Sequence, residues 1–103
     1  MEKAHRNLVR WAIDQGYTVE VWGEDEYQDY KGTDFDEAVE NVEGCDGGTI
    51  YLNNADGENV AWFSYVFDWD QNPDEIINDW GINEVSGAWD KQYNTLGGCY
   101  GVS

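Results

Sequence analysis

Hydrophobic and polar positions alternate along this chain with two distinct periods. Across residues 3–15, Ala4, Leu8, Trp11 and Ala12 recur at helical spacing, with Val9 and Ile13 widening the stripe, and Gly16 is placed to stop the helix. The period then changes to two. Tyr17, Val19 and Val21 alternate with polar residues, which predicts a half-buried strand closed by Gly23. The segment 24–32 (EDEYQDYKG) has only Tyr27 and Tyr30 as large apolar groups and is compatible with a short strand or a long loop.

The helical period returns at Phe35, Ala38, Val39 and Val42, with Thr33 or Asp34 as N-cap and Gly44 at the end. On this second helix Asp36, Glu37, Glu40 and Glu43 are assigned to the outward face. Thr49–Asn53 and Glu58–Phe67 form a hairpin joined by Asn54-Ala-Asp-Gly57, whose Asp-Gly pair suits a turn with positive φ. The second hairpin strand is aromatic and β-branched on both faces, as in an interior strand. Asp68-Trp-Asp-Gln-Asn72 is assigned to a loop. Asn72-Pro73-Asp74-Glu75 has the order of N-cap, proline and acidic first turn that opens a helix, with Ile76, Ile77 and Trp80 as its buried face and Gly81 as its stop. A last helix is expected over 86–96, with Val85, Ala88, Trp89 and Tyr93 inward, and 97–103 is a glycine-rich tail. The order α-β-α-β-β-α-α describes one small α+β domain over 1–103: a three- to four-stranded, mainly antiparallel sheet with helices packed on one face.

Composition turns this outline into a functional question. The 103 residues carry 22 acids against 5 Lys and Arg, a net charge of −17, and 16% aromatics. The aromatic content demands a core and excludes a disordered acidic chain. The charge exceeds the magnitude of about 2–8 that keeps a small domain soluble. Its self-repulsion opposes folding, so it is expected either to serve a saline habitat or to act on a partner. The sign argues against nucleic acid or an anionic membrane as direct ligand and points to a basic protein. No apolar run approaches the roughly 20 residues that span a bilayer, and the N-terminus lacks a signal-peptide core, so a cytoplasmic location is expected. Under reducing conditions Cys45 and Cys99 are expected as thiols, although they would be able to pair in an oxidising compartment.

The charge is unevenly placed. Lys3, Arg6 and Arg10 lie on the first helix, whereas the fifteen carboxylates between Lys31 and Lys91 have no Lys, Arg or His among them. Catalytic patterns are lacking: His5 is the single histidine, there is no phosphate loop or nucleophile elbow, and with this many acids chance carboxylate pairs carry no information. Asp68-x-Asp70-x-Asn72 matches the first three ligand positions of a calcium loop, but Pro73 occupies the required glycine position, so no metal or cofactor is expected. Trp11, Trp62, Trp80 and Trp89 fall on core stripes. Trp69, between two aspartates, is either a lid over the core or an aromatic anchor, and Trp22 at a strand end is similarly open.

The run from GTDFDEAVENVEG (32–44) through GGTIYL (47–52) and ENVAWFSYVFDW (58–69) to PDEIINDW (73–80) resembles small acidic proteins encoded by bacteriophages, most without assigned function. In charge and size the chain is also similar to phage DNA-mimic inhibitors. That resemblance implies an inhibitor of a basic nucleic-acid-binding host protein, acting in the host cytoplasm as a monomer or homodimer, but transfers no contact residues. On the second helix the expected partner-binding residues are Asp34, Asp36, Glu37, Glu40 and Glu43; Asp68, Trp69, Asp70, Asp74 and Glu75 complete the set near the third. Carboxylates four apart on a helix are about 6 Å apart along its axis, on the scale of phosphate spacing in a nucleic-acid strand. Two other classes fit the composition: an immunity protein neutralising a basic nuclease, and a module binding glycans or peptides through exposed aromatics.

Overall fold

A computed structural model describes residues 4–23, 28–66 and 76–95. The chain order is α1 (Ala4–Asp14), β1 (Thr18–Gly23), β2 (Gln28–Gly32), α2 (Phe35–Glu43), β3 (Gly47–Asn53), β4 (Asn59–Val66), β5 (Ile77–Trp80) and α3 (Glu84–Thr95). The five strands form one sheet in the order β2-β1-β3-β4-β5, antiparallel at every pairing. The α+β class and the hairpin agree with the sequence reading, and the sheet is wider than expected.

The two periods explain the layers. Val19 and Val21 of β1, Ile50 and Leu52 of β3, and Ala61, Phe63 and Tyr65 of β4 alternate onto one face and are buried. Ala4, Leu8, Val9 and Ala12 of α1, Ala38, Val39 and Val42 of α2, and Trp89 and Tyr93 of α3 join them in a single core cluster. All three helices therefore cover the same face of the sheet. Among the described residues the opposite face carries no helix.

Local chemistry closes each element. Asp34 caps α2 by accepting from the Glu37 N–H at 3.0 Å, and the Tyr30 hydroxyl of β2 accepts from the Asp34 N–H at 2.8 Å, which ties cap to sheet. In the hairpin turn, Asn54 Oδ1 accepts from the N–H groups of Asp56 and Glu58, and Gly57 takes φ 83° as its turn requires. Helix α3 starts earlier than expected because Asn83 and Ser86 cap each other: Asn83 Oδ1 accepts from the Ser86 N–H and Ser86 Oγ from the Asn83 N–H.

Three sequence expectations are overturned. Residues 77–80 are strand β5, not a helix, paired through Phe63↔Trp80 and Tyr65↔Ile77. Ile76 and Ile77 are buried as expected, but by β pairing. A short apolar run flanked by a helix-opening motif is locally ambiguous, and the free edge of β4 decides it. Trp62 is not core: with Ala61, Phe63 and Tyr65 inward, alternation sends it to the helix-free face, where it is 37% exposed. Ala88, expected inward, is exposed on α3.

Candidate acidic interface and open sheet face

On α2 the structure divides the expected site. Asp36, Glu37 and Glu40 are exposed, as are the cap Asp34, Asp29 of β2 and Asp46 just beyond the helix. Glu43 is at the edge of that face and half-buried. It lies four residues beyond Val39 and eight beyond Phe35, on the helix row that faces α1. There Glu43 Oε2 meets His5 Nε2 at 2.7 Å and accepts from Arg6 Nε at 3.1 Å, while Arg6 Nη2 reaches Oε1 at 3.4 Å. One helical turn and more along α1, the Arg10 guanidinium stands 4.2 Å from the centre of the Phe35 ring. The cations of α1 thus engage the flank of α2 that adjoins them. A depression of about 360 Å³ between the helices is lined by Arg6, Phe35, Asp36, Val39, Glu40, Glu43 and Gly44. The i, i+4 relation of Glu43 to Val39 was legible in the sequence; that α1 would carry the matching His and Arg was not.

Partial burial pushes the Glu43 carboxyl up, but the hydrogen bonds and charges of Arg6 and His5 outweigh it, and the net shift is below the ordinary 4.5. A carboxylate with a lowered folded pKa stabilises the fold above its ordinary value and loses that contribution as pH falls through the folded value. Glu43→Ala is therefore expected to cost about 1–3 kcal/mol at neutral pH, because buried His5 loses its charged partner. The difference from the parent should shrink as pH falls below the ordinary 4.5, read by urea denaturation at neutral and at acidic pH.

Asp68, Trp69, Asp70, Asp74 and Glu75, and with them the calcium-like segment, lie outside the described residues. Cys45 donates its thiol to Asp29 Oδ2 at 3.4 Å, and Cys99 also lies outside the described residues.

The helix-free sheet face holds groups that the sequence reading left out of the site. Glu20 of β1 accepts from Trp22 Nε1 at 3.2 Å, from Gln28 Nε2 at 2.5 Å and from Asn53 Nδ2. Burial pushes its carboxyl up, yet those donors and the charge of Lys31 hold it below the usual carboxylate range. Glu20 is paired across the sheet with Tyr51, and Tyr51 with Trp62. Trp62 in turn folds over Gly81, where a Cβ would fall 2.5 Å from its Nε1. The signal in the sequence was alternation itself: Glu20 and Trp22 lie out of phase with Val19 and Val21.

Among the described residues no group of three His, Cys, Asp or Glu side chains is placed to hold a metal ion, and no helix is long and apolar enough to cross a membrane. No protein-family model matches the chain, and neither the curated proteins nor the solved structures give a match.

Proposed function

We propose that this protein is a non-enzymatic acidic inhibitor, encoded by a bacteriophage, that imitates nucleic acid and occupies the basic DNA- or RNA-binding site of a host protein. The observation that carries this reading is the outer face of α2. Asp36, Glu37 and Glu40 are exposed on a capped, packed helix, next to the exposed cap Asp34. A rigid element that holds several carboxylates at fixed spacing presents a basic groove with a preorganised polyanion, and little ordering entropy remains to be lost on binding. The net charge of −17 adds long-range steering toward a basic partner. Glu43, half-buried and paired with His5 and Arg6, lies at the edge of that surface.

Binding of this kind is expected to be fast and to weaken steeply as salt rises, since screened charges separated by more than about 8–10 Å cease to attract. Affinity capture from a bacterial host lysate at low and high salt tests the proposal. Basic nucleic-acid-binding proteins should be retained at low salt and released at high salt. The triple variant Asp36→Lys, Glu37→Lys and Glu40→Lys should lose capture while its far-UV circular dichroism stays that of the parent. Captured proteins that are not basic nucleic-acid binders, or capture that survives high salt unchanged, would refute the mimic.

A further inference from the structure

The helix-free sheet face carries a notch that the acidic helix does not explain. Trp22 stands diagonal to Tyr51 across β1 and β3, with ring centroids 6.2 Å apart and planes at 85°. Together with Glu20 and Asn59 these rings line a depression of about 360 Å³. Two rings at right angles form adjoining walls. A sugar ring stacks parallel to an aromatic face and needs that face clear, so this arrangement is a poor platform for a glycan. A cation needs less: it is attracted to the face of a ring when it lies within about 6 Å of the centroid.

The polar groups of the notch favour the same ligand. The Trp22 indole is held in place by its Nε1–H donating to Glu20 Oε1, so the aromatic wall is set before anything binds. Gln28 also donates to Oε1 and Asn53 to Oε2. Among the described residues these three donors fill three of a carboxylate's roughly four acceptor positions, which leaves one on Oε2. The Asn59 amide nitrogen is engaged by the carbonyls of Leu52 and Ala61, which leaves its Oδ1 as an acceptor. The notch therefore offers π-faces, a carboxylate and an amide oxygen, in a protein of net charge −17. The carboxylate and the amide oxygen in it are acceptors. A guanidinium, which is more weakly hydrated than an ammonium and donates in several directions, matches this set better than a compact and strongly hydrated ammonium.

We infer that Trp22, Tyr51 and Glu20 form a seat for a guanidinium side chain, an arginine presented by a basic protein partner. The inference rests on the reading of a basic partner and gives it a second, chemically specific contact on the face of the sheet away from the helices.

The test uses the full-length protein labelled with ¹⁵N and the tripeptide acetyl-Gly-Arg-Gly-amide as probe. The indole Nε1–H signal of Trp22, assigned by its loss in Trp22→Phe, should shift saturably on titration. The same tripeptide with neutral citrulline in place of arginine should leave it unmoved. Glu20→Gln and Tyr51→Leu should each weaken the interaction at least about tenfold, as expected for loss of the carboxylate or of one aromatic wall. Should Glu20→Gln disturb the sheet, Tyr51→Leu still decides the matter, since it leaves the Glu20 hydrogen bonds in place. Equal shifts with citrulline, shifts centred on α2 and not on Trp22, or a larger response to cellotetraose would each overturn the seat. Failure of the lysate capture leaves this result intact, and capture without a Trp22 response removes the seat while leaving the acidic interface.

Discussion

Trp89→Ala is expected to destabilise the domain by about 3–5 kcal/mol, as large-to-small substitution of a buried aromatic does. That is a large share of the about 5–15 kcal/mol that stabilises an ordinary folded domain. Trp89 is 2% exposed and joins three elements to α3. Its ring meets Phe63 of β4 and Trp80 of β5 edge-on, each with centroids 5.4 Å apart, and stacks on Tyr93 at 17°. Its Nε1–H donates to Asn7 Oδ1 of α1 at 2.8 Å, in the company of Gln92. Removing the indole therefore opens a cavity under the β4–β5 edge and costs Asn7 one of its donors. Self-repulsion from the −17 charge leaves little margin to absorb such a loss. Trp89→Ala should lose cooperative urea unfolding and its near-ultraviolet dichroism, whereas Trp89→Phe, which keeps a ring in the cluster, should fold with intermediate stability. A Trp89→Ala variant as stable as the parent would show that α3 does not close the core.

Gly48→Ala is expected to be the most damaging change at a position without any side chain. Gly48 faces Gly23 across β1 and β3, and a Cβ there would stand 1.9 Å from the Trp22 carbonyl oxygen. That oxygen is backbone within the paired sheet, so no side-chain rotation relieves the clash. The strands must part at this end. Overpacking of this kind costs about 1–3 kcal/mol and occasionally more. It should also move Trp22 and so disturb the notch beside Tyr51. Gly87→Ala is the matched control: nothing lies within 4 Å of the new Cβ on α3, and the substitution should stabilise by about 0.5–1 kcal/mol. Paired denaturation curves of the two variants would check both signs, and Gly48→Ala with parental stability would mean that the strand pair accommodates the added methyl.

Much of this architecture was legible along the chain because it rests on local periods and caps. The stripe of α1, the Asp34 cap and apolar row of α2, and the Asn54–Gly57 turn are each decided within about ten residues, and each stands where the pattern placed it. The polar segment 28–32 was undecided because an edge strand with one half-buried tyrosine has almost no period of its own; pairing with β1 makes it a strand. Segment 77–80 went further astray. Its Asn-Pro-Asp-Glu prelude is a helix signal, but the backbone groups of β4 needed a partner and the isoleucines supplied a β-branched edge.

The site divides along the same line. Charge and helical spacing are properties of the chain, so a folded polyanion with a capped helix bearing Asp36, Glu37 and Glu40 is readable from the residues alone. Folding draws Glu43 to the edge of that face, where it meets His5 and Arg6, thirty-eight and thirty-seven residues away. Folding also brings Glu20, Trp22 and Tyr51 together on the sheet face that carries no described helix. Contacts between residues far apart in sequence depend on strand register and helix docking, and these are settled by the packing of the whole core.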